Sequence, residues 1–554
     1  MDIVKRKALK NLSVVGAACT LPSCAILEYL FTNNHLTNID CTDGTYPVVD
    51  AHAHFFNGTD LLAGPYLTGP VVNDLFRYAN RQPIKTILTI TGKVVQRIAT
   101  SFSITAESEL SFLEQKSIAH EFITGTQLFN YQELEYKQTS EAFYDVLTDD
   151  ERNQIQLAIR QLEADRDEKL KANNNKGLAD AFQPIIFGRN TLFEAITDGT
   201  ENVTGTDKEN IWALYAVYKI LGLDTLFTFV LRMLSKRSSN LAEYQSVYSS
   251  KGSEQFVINT TDISVDFDYW LKGCDTDYAS NIKAQVAVHE RLHQLSGGYT
   301  IPILGVNPMK LLDKGQQYKD FIEQTLSNNI YRGIKIYPTL GFSPNGELHK
   351  DFKDDMRTCG YSGFPSEEQI RNSLYDLYTI CLSKGAVVMA HSDKSKGNPK
   401  SAAELAGPMY WKKVFQNKSL KNLKVNFGHL GEFKSSDDSN WTSEFLKLMV
   451  SGNRYGDLGF WFTQGSKGQL ERLIKEAKRI GGEDIFSRVL YGSDWYMLTS
   501  KPNWKPYLNR AHKYFSELVD DGAFDSSESG IIAMNKFFYL NAKQLYGESV
   551  KTCA

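Results

Sequence analysis

From residue 261 to residue 492 the chain repeats one unit: a short apolar run, a turn, then an amphipathic helix. The runs fall at 263–269, 300–306, 333–337, 386–390, 423–428, 454–460 and 489–492, with helices expected at 278–295, 316–328, 367–383, 443–450 and 468–480. An earlier buried strand at 46–50 makes eight. Strands alternating with helices specify a parallel sheet, and eight such units favour closure over an open sheet. The expected fold is therefore α/β: a (β/α)8 TIM barrel with a large, mostly helical insertion after the first strand. No GxGxxG loop follows any of these runs, which removes the usual dinucleotide reading, and no GxSxG elbow or P-loop is present.

The expected domain plan follows. Residues 46–60 and 261–547 form the barrel, and 61–260 form the inserted block, which leaves the active-site side of the barrel and could act as a lid. Thr148 with Glu151 and Thr206 with Glu209 have capping-box spacing, and 171–177 reads as a loop. Residues 1–30 have the shape of an export signal: Lys5, Arg6, Lys7 and Lys10 precede an uncharged run, and Cys24 follows Leu21-Pro22-Ser23, a weak lipobox. The expectation is an exported protein, periplasmic or lipid-anchored at Cys24. The alternative is an N-terminal helix packed on the body of a cytoplasmic protein. With 61 Lys and Arg against 65 Asp and Glu the chain has no basic surplus for nucleic acid. Seven cysteines without a CxxC pair give no thiolate zinc site, so any metal falls to His and carboxylate. The expected partner is a small-molecule substrate, and a homo-oligomer is compatible with the sequence.

Although the chain has only ten histidines, they mark the ends of three strands. His52 and His54 close the first and share a face by alternation; His391 closes the fifth and His429 the sixth, while Asp494 follows the eighth. Carboxyl ends of barrel strands are where such folds place chemistry. Neutral imidazoles with a carboxylate suit one divalent ion, zinc before manganese or iron.

The runs Asp50-Ala51-His52-Ala53-His54, Gly333-Ile334-Lys335-Ile336-Tyr337-Pro338, Met389-Ala390-His391, Asn426-Phe427-Gly428-His429-Leu430-Gly431, Tyr491-Gly492-Ser493-Asp494-Trp495 and Asn541-Ala542 together resemble the signature of the amidohydrolase superfamily. The nearest flavour is its amidohydrolase-related branch, which contains metal-dependent hydrolases and decarboxylases. The resemblance implies His52, His54, His391 and Asp494 as metal ligands, Asp494 also as the catalytic acceptor of a water proton, and His429 as the catalytic histidine that polarises substrate or shuttles protons. It also places Lys335 in the site, either as an ammonium that binds a substrate carboxylate or, if carbamylated, as the bridge to a second metal. Tyr337, two residues on, is a candidate substrate donor. Asp266, Asp268 and Asp457 are candidates to support the ligands, and Asn57 and Asp60 to brace the loop after the first strand.

His289-Glu290-Arg291-Leu292-His293 is a complete HExxH, the zinc-peptidase pattern. On an outer barrel helix its histidines are expected on a solvated face, far from the rim. The functional expectation is a metal-dependent hydrolase using activated water on a small molecule. The alternatives are a non-oxidative decarboxylase on the same site, then an HExxH peptidase or a non-catalytic binding protein.

Overall fold

The computed structural model describes residues 46–67, 86–93, 105–116, 229–249, 255–267, 280–350, 365–431 and 441–551 almost throughout, and 148–161 in part. Eight strands form one sheet in sequential order, every neighbouring pair parallel: β1 (Tyr46–Asp50), β2 (Gln255–Ile263), β3 (Thr300–Gly305), β4 (Gly333–Ile336), β5 (Val387–His391), β6 (Lys424–Gly428), β7 (Arg454–Asp457) and β8 (Val489–Leu490). The ring closes just beyond β8, where Ala51 N donates to Tyr491 O at 2.9 Å and Ala53 forms a parallel bridge with Trp495.

The expected barrel is thus present, with one displaced strand. β2 begins at Gln255, inside the block assigned to the insertion, and ends at Ile263, where the sequence reading had it start. Its run Gln255-Phe256-Val257-Ile258-Asn259-Thr260-Thr261-Asp262-Ile263 is rich in β-branched residues but too polar to read as an apolar core strand. Asp266 consequently lies beyond the strand, and Asp268 lies outside the described residues. The run expected at 454–460 is also shorter as a strand and stops at Asp457.

Alternation along the strands divides the core. Val49, Ala51, Ile258, Ile301, Ile303, Val387, Met389, Tyr455 and Leu490 form one cluster with Ala542, Leu545 and Tyr546, whereas Val48, Val257, Leu304, Ile334, Val388, Val425 and Phe427 belong to the cluster shared with the helices. The first set fills the cylinder.

We label the helices used below α1 (Ala106–Lys116), α2 (Arg237–Tyr248), α3 (Ile282–Leu295), α4 (Gln316–Ser327), α5 (Glu367–Lys384), α6 (Trp441–Met449) and α7 (Lys467–Gly481). The last five match the expected helices to within a few residues. α5 shows why: Ser366 and Gln369 make a reciprocal capping box, and Gly385 ends the helix in the left-handed region at φ 64°.

Within 61–260 the described segments include α1 and α2, and Thr148 and Glu151 make the expected reciprocal pair at 3.0 and 3.2 Å. Thr206, Glu209, the 171–177 loop and residues 1–30 with Cys24 lie outside the described residues. Among the described residues, no helix is long and apolar enough to cross a membrane.

α2 is tied to the loop after β1 through a fully buried charge cluster. Arg237 Nε donates to Asp60 Oδ2 at 2.9 Å and Nη1 to Glu109 Oε2 of α1 at 2.8 Å. Glu109 also accepts from the first α2 amides, Arg237 N at 3.1 Å and Ser238 N at 2.8 Å, so it serves as an N-cap from another helix. Asp60 Oδ2 accepts Asn57 N at 3.0 Å, and Asn57 Oδ1 accepts Thr59 N at 3.0 Å, which is the bracing expected of Asn57 and Asp60.

Candidate metal centre

β1 ends at Asp50, and the chain bends at Ala51 and His52, carrying both imidazoles to the mouth of the cylinder. Each ring is oriented by its Nδ1. His52 Nδ1 lies 2.8 Å from Asp457 Oδ1, and His54 Nδ1 lies 3.2 Å from Ile263 O. A carboxylate or carbonyl can only accept, so both Nδ1 atoms carry the proton and both Nε2 atoms keep an unprotonated lone pair. Burial holds both imidazoles well below the usual histidine pKa, with nearby Lys335 acting in the same direction on each, so both are neutral and ready to ligate.

His52 fits only because glycines surround it. A side chain at Gly492 would come within 2.9 Å of His52 Cβ, and one at Gly428 within 3.0 Å of His52 Cε1.

Asp494 sits in the left-handed region at φ 58°, a conformation that a non-glycine residue holds only with support. That support includes its amide, which donates to His52 O at 2.7 Å. Its Oδ1 lies 3.7 Å from His52 Nε2 and 3.6 Å from His54 Nε2. Donors about 2.1 Å from one tetrahedral ion stand about 3.4 Å apart, so two unprotonated nitrogens and a carboxylate oxygen at these separations fit a shared divalent cation. His52, His54 and Asp494 form one of two donor clusters found among the described residues; the other joins His52, His429 and Asp457.

Asp457 is the organising acid. Its Oδ1 accepts from His52 Nδ1 and from the amides of His429 at 3.1 Å and Gly459 at 3.0 Å, and its Oδ2 accepts from Asn426 Nδ2 at 2.9 Å. Burial raises its pKa, while His429 and Lys335 oppose that shift. A carboxylate behind a ligating imidazole fixes the tautomer and raises its basicity.

His391, expected as a ligand, belongs to neither cluster. Its Nε2 is engaged by Asp393 Oδ1 at 2.8 Å and Ser395 Oγ at 3.0 Å, acceptors just beyond the strand end. Its ring remains in the site, edge-on to His429 at 4.7 Å and stacked with Tyr337 at 5.9 Å.

His429 also has positive φ, 65°; its Nδ1 lies 3.0 Å from Gly459 O and its ring 4.5 Å from that of His52. Burial, with His391 adding to it, pushes its pKa down to about 4.

Lys335 is fully buried, with Nζ 3.1 Å from His52 Nε2. It is not among the described residues that line the cavity, and its Nζ faces the donor cluster. Burial lowers its pKa to about 8 against the pull of Asp457, Asp494 and Asp393. Tyr337 Oη lies 3.5 Å from His54 Nε2 and does line the cavity. Asp266 faces elsewhere, accepting from Lys310 Nζ and Tyr318 Oη, both at 2.9 Å.

Several residues of this centre escaped the sequence reading. Asp50 is one: an acid ending an apolar strand calls for buried donors, which is the signal that marks it in the sequence. Asn426 and Asp393 lie beside recognised histidines but carried no signal of their own. Phe56, Tyr66, Phe267, Leu340 and Met497, which wall the cavity above the histidines, come from four separate stretches of chain.

The HExxH run does not form a site. His289 is fully buried rather than solvated, with Nδ1 2.7 Å from Asp262 Oδ2 on β2. His293 Nδ1 lies 2.6 Å from Thr300 O, and Glu290 accepts from Asn328. The three side chains engage three different partners, and of them only His289 lies on the face that α3 buries against the sheet.

Residues 312–547 match the amidohydrolase family model, a span that omits β1 to β3 and hence His52 and His54. No curated protein sequence matches the chain. Among solved structures, a protein described as a metal-dependent hydrolase from Lactobacillus casei is 12% identical, with a TM-score of 0.39 and coverage of 92% of this chain and 98% of that one. The 5-carboxyvanillate decarboxylase of Novosphingobium aromaticivorans, solved with manganese and 4-hydroxy-3-methoxy-5-nitrobenzoic acid, is 14% identical, with a TM-score of 0.33 and coverage of 64% and 91%. A 2,6-dihydroxybenzoate decarboxylase from Rhizobium is 11% identical, with a TM-score of 0.29 and coverage of 48% and 76%. Likenesses this loose carry no weight for substrate or reaction. Residues 312–547, which carry β4 to β8 of the sequentially ordered eight-stranded parallel barrel, thus match the amidohydrolase family.

Proposed function

We propose that the enzyme hydrolyses a small, uncharged carbonyl compound at a divalent metal held by His52, His54 and Asp494. The observation that carries this reading is the chemistry of the cavity. Phe56, Tyr66, Phe267, Tyr337, Leu340 and Met497 supply most of its wall, and no lysine or arginine is among the described residues that line it. Among these lining residues a substrate carboxylate would find no cation, whereas a neutral planar ester, lactone or amide would lose little on leaving water.

A divalent ion in this position supplies Lewis acidity toward a carbonyl oxygen and lowers the pKa of water. The protein groups do the rest. Asp494 would accept the proton of the attacking water, since its carboxylate faces the same point as the two Nε2 atoms. His429, neutral with its Nδ1 proton on Gly459 O, presents Nε2 as a proton acceptor that can return the proton to the leaving group. Tyr337 Oη stands at the cavity wall as a donor to substrate. The apolar wall excludes bulk water, which strengthens each of these polar contacts.

The test is a panel of neutral aryl esters, lactones and amides beside aromatic carboxylic acids, assayed on metal-loaded protein with His429→Ala and Asp494→Ala as controls. Hydrolysis of a neutral compound, lost in both variants, is expected. Release of carbon dioxide from an acid, with no hydrolysis of any neutral compound, would replace this reading by decarboxylation.

A further inference from the structure

Asp50 is fully buried yet coordinates nothing in the candidate metal centre; its carboxylate instead joins three pieces of chain. Oδ1 accepts the amides of His52 and Ser493, each at 3.0 Å, which bridges the two segments that carry His52 and Asp494. Oδ2 accepts the hydroxyl of Tyr244 at 2.6 Å. Tyr244 belongs to α2, whose first turn is locked by the Arg237, Asp60 and Glu109 cluster. Its ring packs edge-on against Phe55 at 5.5 Å and Trp495 at 5.4 Å, neighbours of the same two segments. α2 is therefore fastened at one end to the loop after β1 and, two turns on, to the acid that sets the spacing between two ligand-bearing segments.

We propose that Tyr244 is a positioning residue of the metal centre: through Asp50, its hydroxyl fixes the relative placement of His52 and Asp494. The inference rests on those two residues being ligands. α2, in the block after β1, thereby supports metal affinity from outside the barrel. A carboxylate with one oxygen on two amides keeps its plane only while the other oxygen is also held. Without the Tyr244 hydroxyl, the buried carboxylate keeps only donors from His52 and from the amide and side chain of Ser493, and it turns toward them or is neutralised. The bridge to Ser493 then slackens, and Asp494, the next residue, moves with it.

The experiment uses full-length protein stripped with a chelator, titrated with Zn2+ against a chromophoric competitor, and loaded with Co2+ to record its visible absorption. Tyr244→Phe is expected to weaken Zn2+ binding by about tenfold or more, the range seen when partners behind metal ligands are removed, and to change the Co2+ bands. Tyr248→Phe is the control. It removes a hydroxyl one turn along the same helix that donates to Trp504 O at 2.9 Å, and it should leave both readouts as in the parent protein. Equal Zn2+ affinity and spectra for Tyr244→Phe and the parent would overturn the proposal. If the parent itself binds no Zn2+, the metal-centre reading fails first. Should Tyr244→Phe not fold, Tyr244→Phe/Asp50→Asn leaves no bare buried carboxylate; it is expected to bind more weakly than Asp50→Asn alone, and equality between them overturns the proposal.

Discussion

Replacing Asp457 by asparagine separates the charge of this acid from its shape. The new amide oxygen can take over the three bonds of Oδ1, to His52 Nδ1 and to the amides of His429 and Gly459. The new amide nitrogen would face Asn426 Nδ2, a donor against a donor, but Asn426 Oδ1 has no hydrogen-bond partner, so a turn of that amide restores the pair. The fold should therefore hold, with a cost of about 1 kcal/mol or less. What disappears is the negative charge behind the His52 ring, which leaves Nε2 a weaker base. Metal affinity should fall by roughly 10- to 100-fold, about 1.4 to 2.7 kcal/mol. Asp457→Ala differs, because four buried donors lose their acceptor at about 1 to 3 kcal/mol each before relaxation, and the variant should melt far below the parent. Competition titration with Zn2+ and a thermal melt of the apoprotein read the two effects separately. Parent-like Zn2+ affinity in a folded Asp457→Asn protein would refute the claim that this carboxylate tunes the centre.

Acid should destabilise the apoprotein through its buried neutral imidazoles. For His429 the folded pKa is about 4 against 6.5 unfolded. The unfolded chain therefore binds the extra proton between those values, and stability present above pH 6.5 is lost as pH falls toward 4, on the order of 3 kcal/mol from this residue. Urea melts across pH 4 to 7 should show a shallower slope for His429→Gln, and an unchanged slope would contradict the assignment. His289→Ala should lower the melting temperature, because it removes a fully buried ring beside the buried Asp262 and leaves a cavity in the barrel wall. The same variant should keep its metal, and loss of metal without loss of stability would revive the HExxH reading. Phe267→Ala opens the aromatic wall beside Tyr337, whose ring it meets edge-on at 5.0 Å; KM for the hydrolysed substrate should rise more than kcat falls, and the reverse pattern would place Phe267 in the chemistry.

Alternation of apolar runs and helices made the barrel legible, since strands buried on both faces have a period and length that little else mimics. The same rule misplaced β2, where Thr261 accepts from Ala53 N, Asn259 donates to Gly298 O and Asp262 faces His289 of α3, so burial there comes without apolar text. His52, His54 and Asp494 could be read from their place at strand ends. His391 follows the same rule, but its orientation depends on Asp393 and Ser395, local acceptors whose effect is a matter of rotamer. His289 differs from the solvated face expected of it for a related reason: an outer barrel helix buries one face on the sheet, and the outward-facing Asp262 on β2 lies beside the buried imidazole. The tie from Tyr244 to Asp50 joins residues far apart in the chain and leaves no periodic trace.

The measurement that bears most directly on the central claim is the metal content of full-length protein purified without added metal. Elemental analysis of the parent should find about one divalent ion per chain, as expected for a three-ligand catalytic site. His52→Ala, His54→Ala and Asp494→Ala should each lose it while remaining folded by circular dichroism. A parent free of metal that also fails to bind added Zn2+ or Mn2+, or a folded His52→Ala/Asp494→Ala protein that keeps its full complement, would contradict the account.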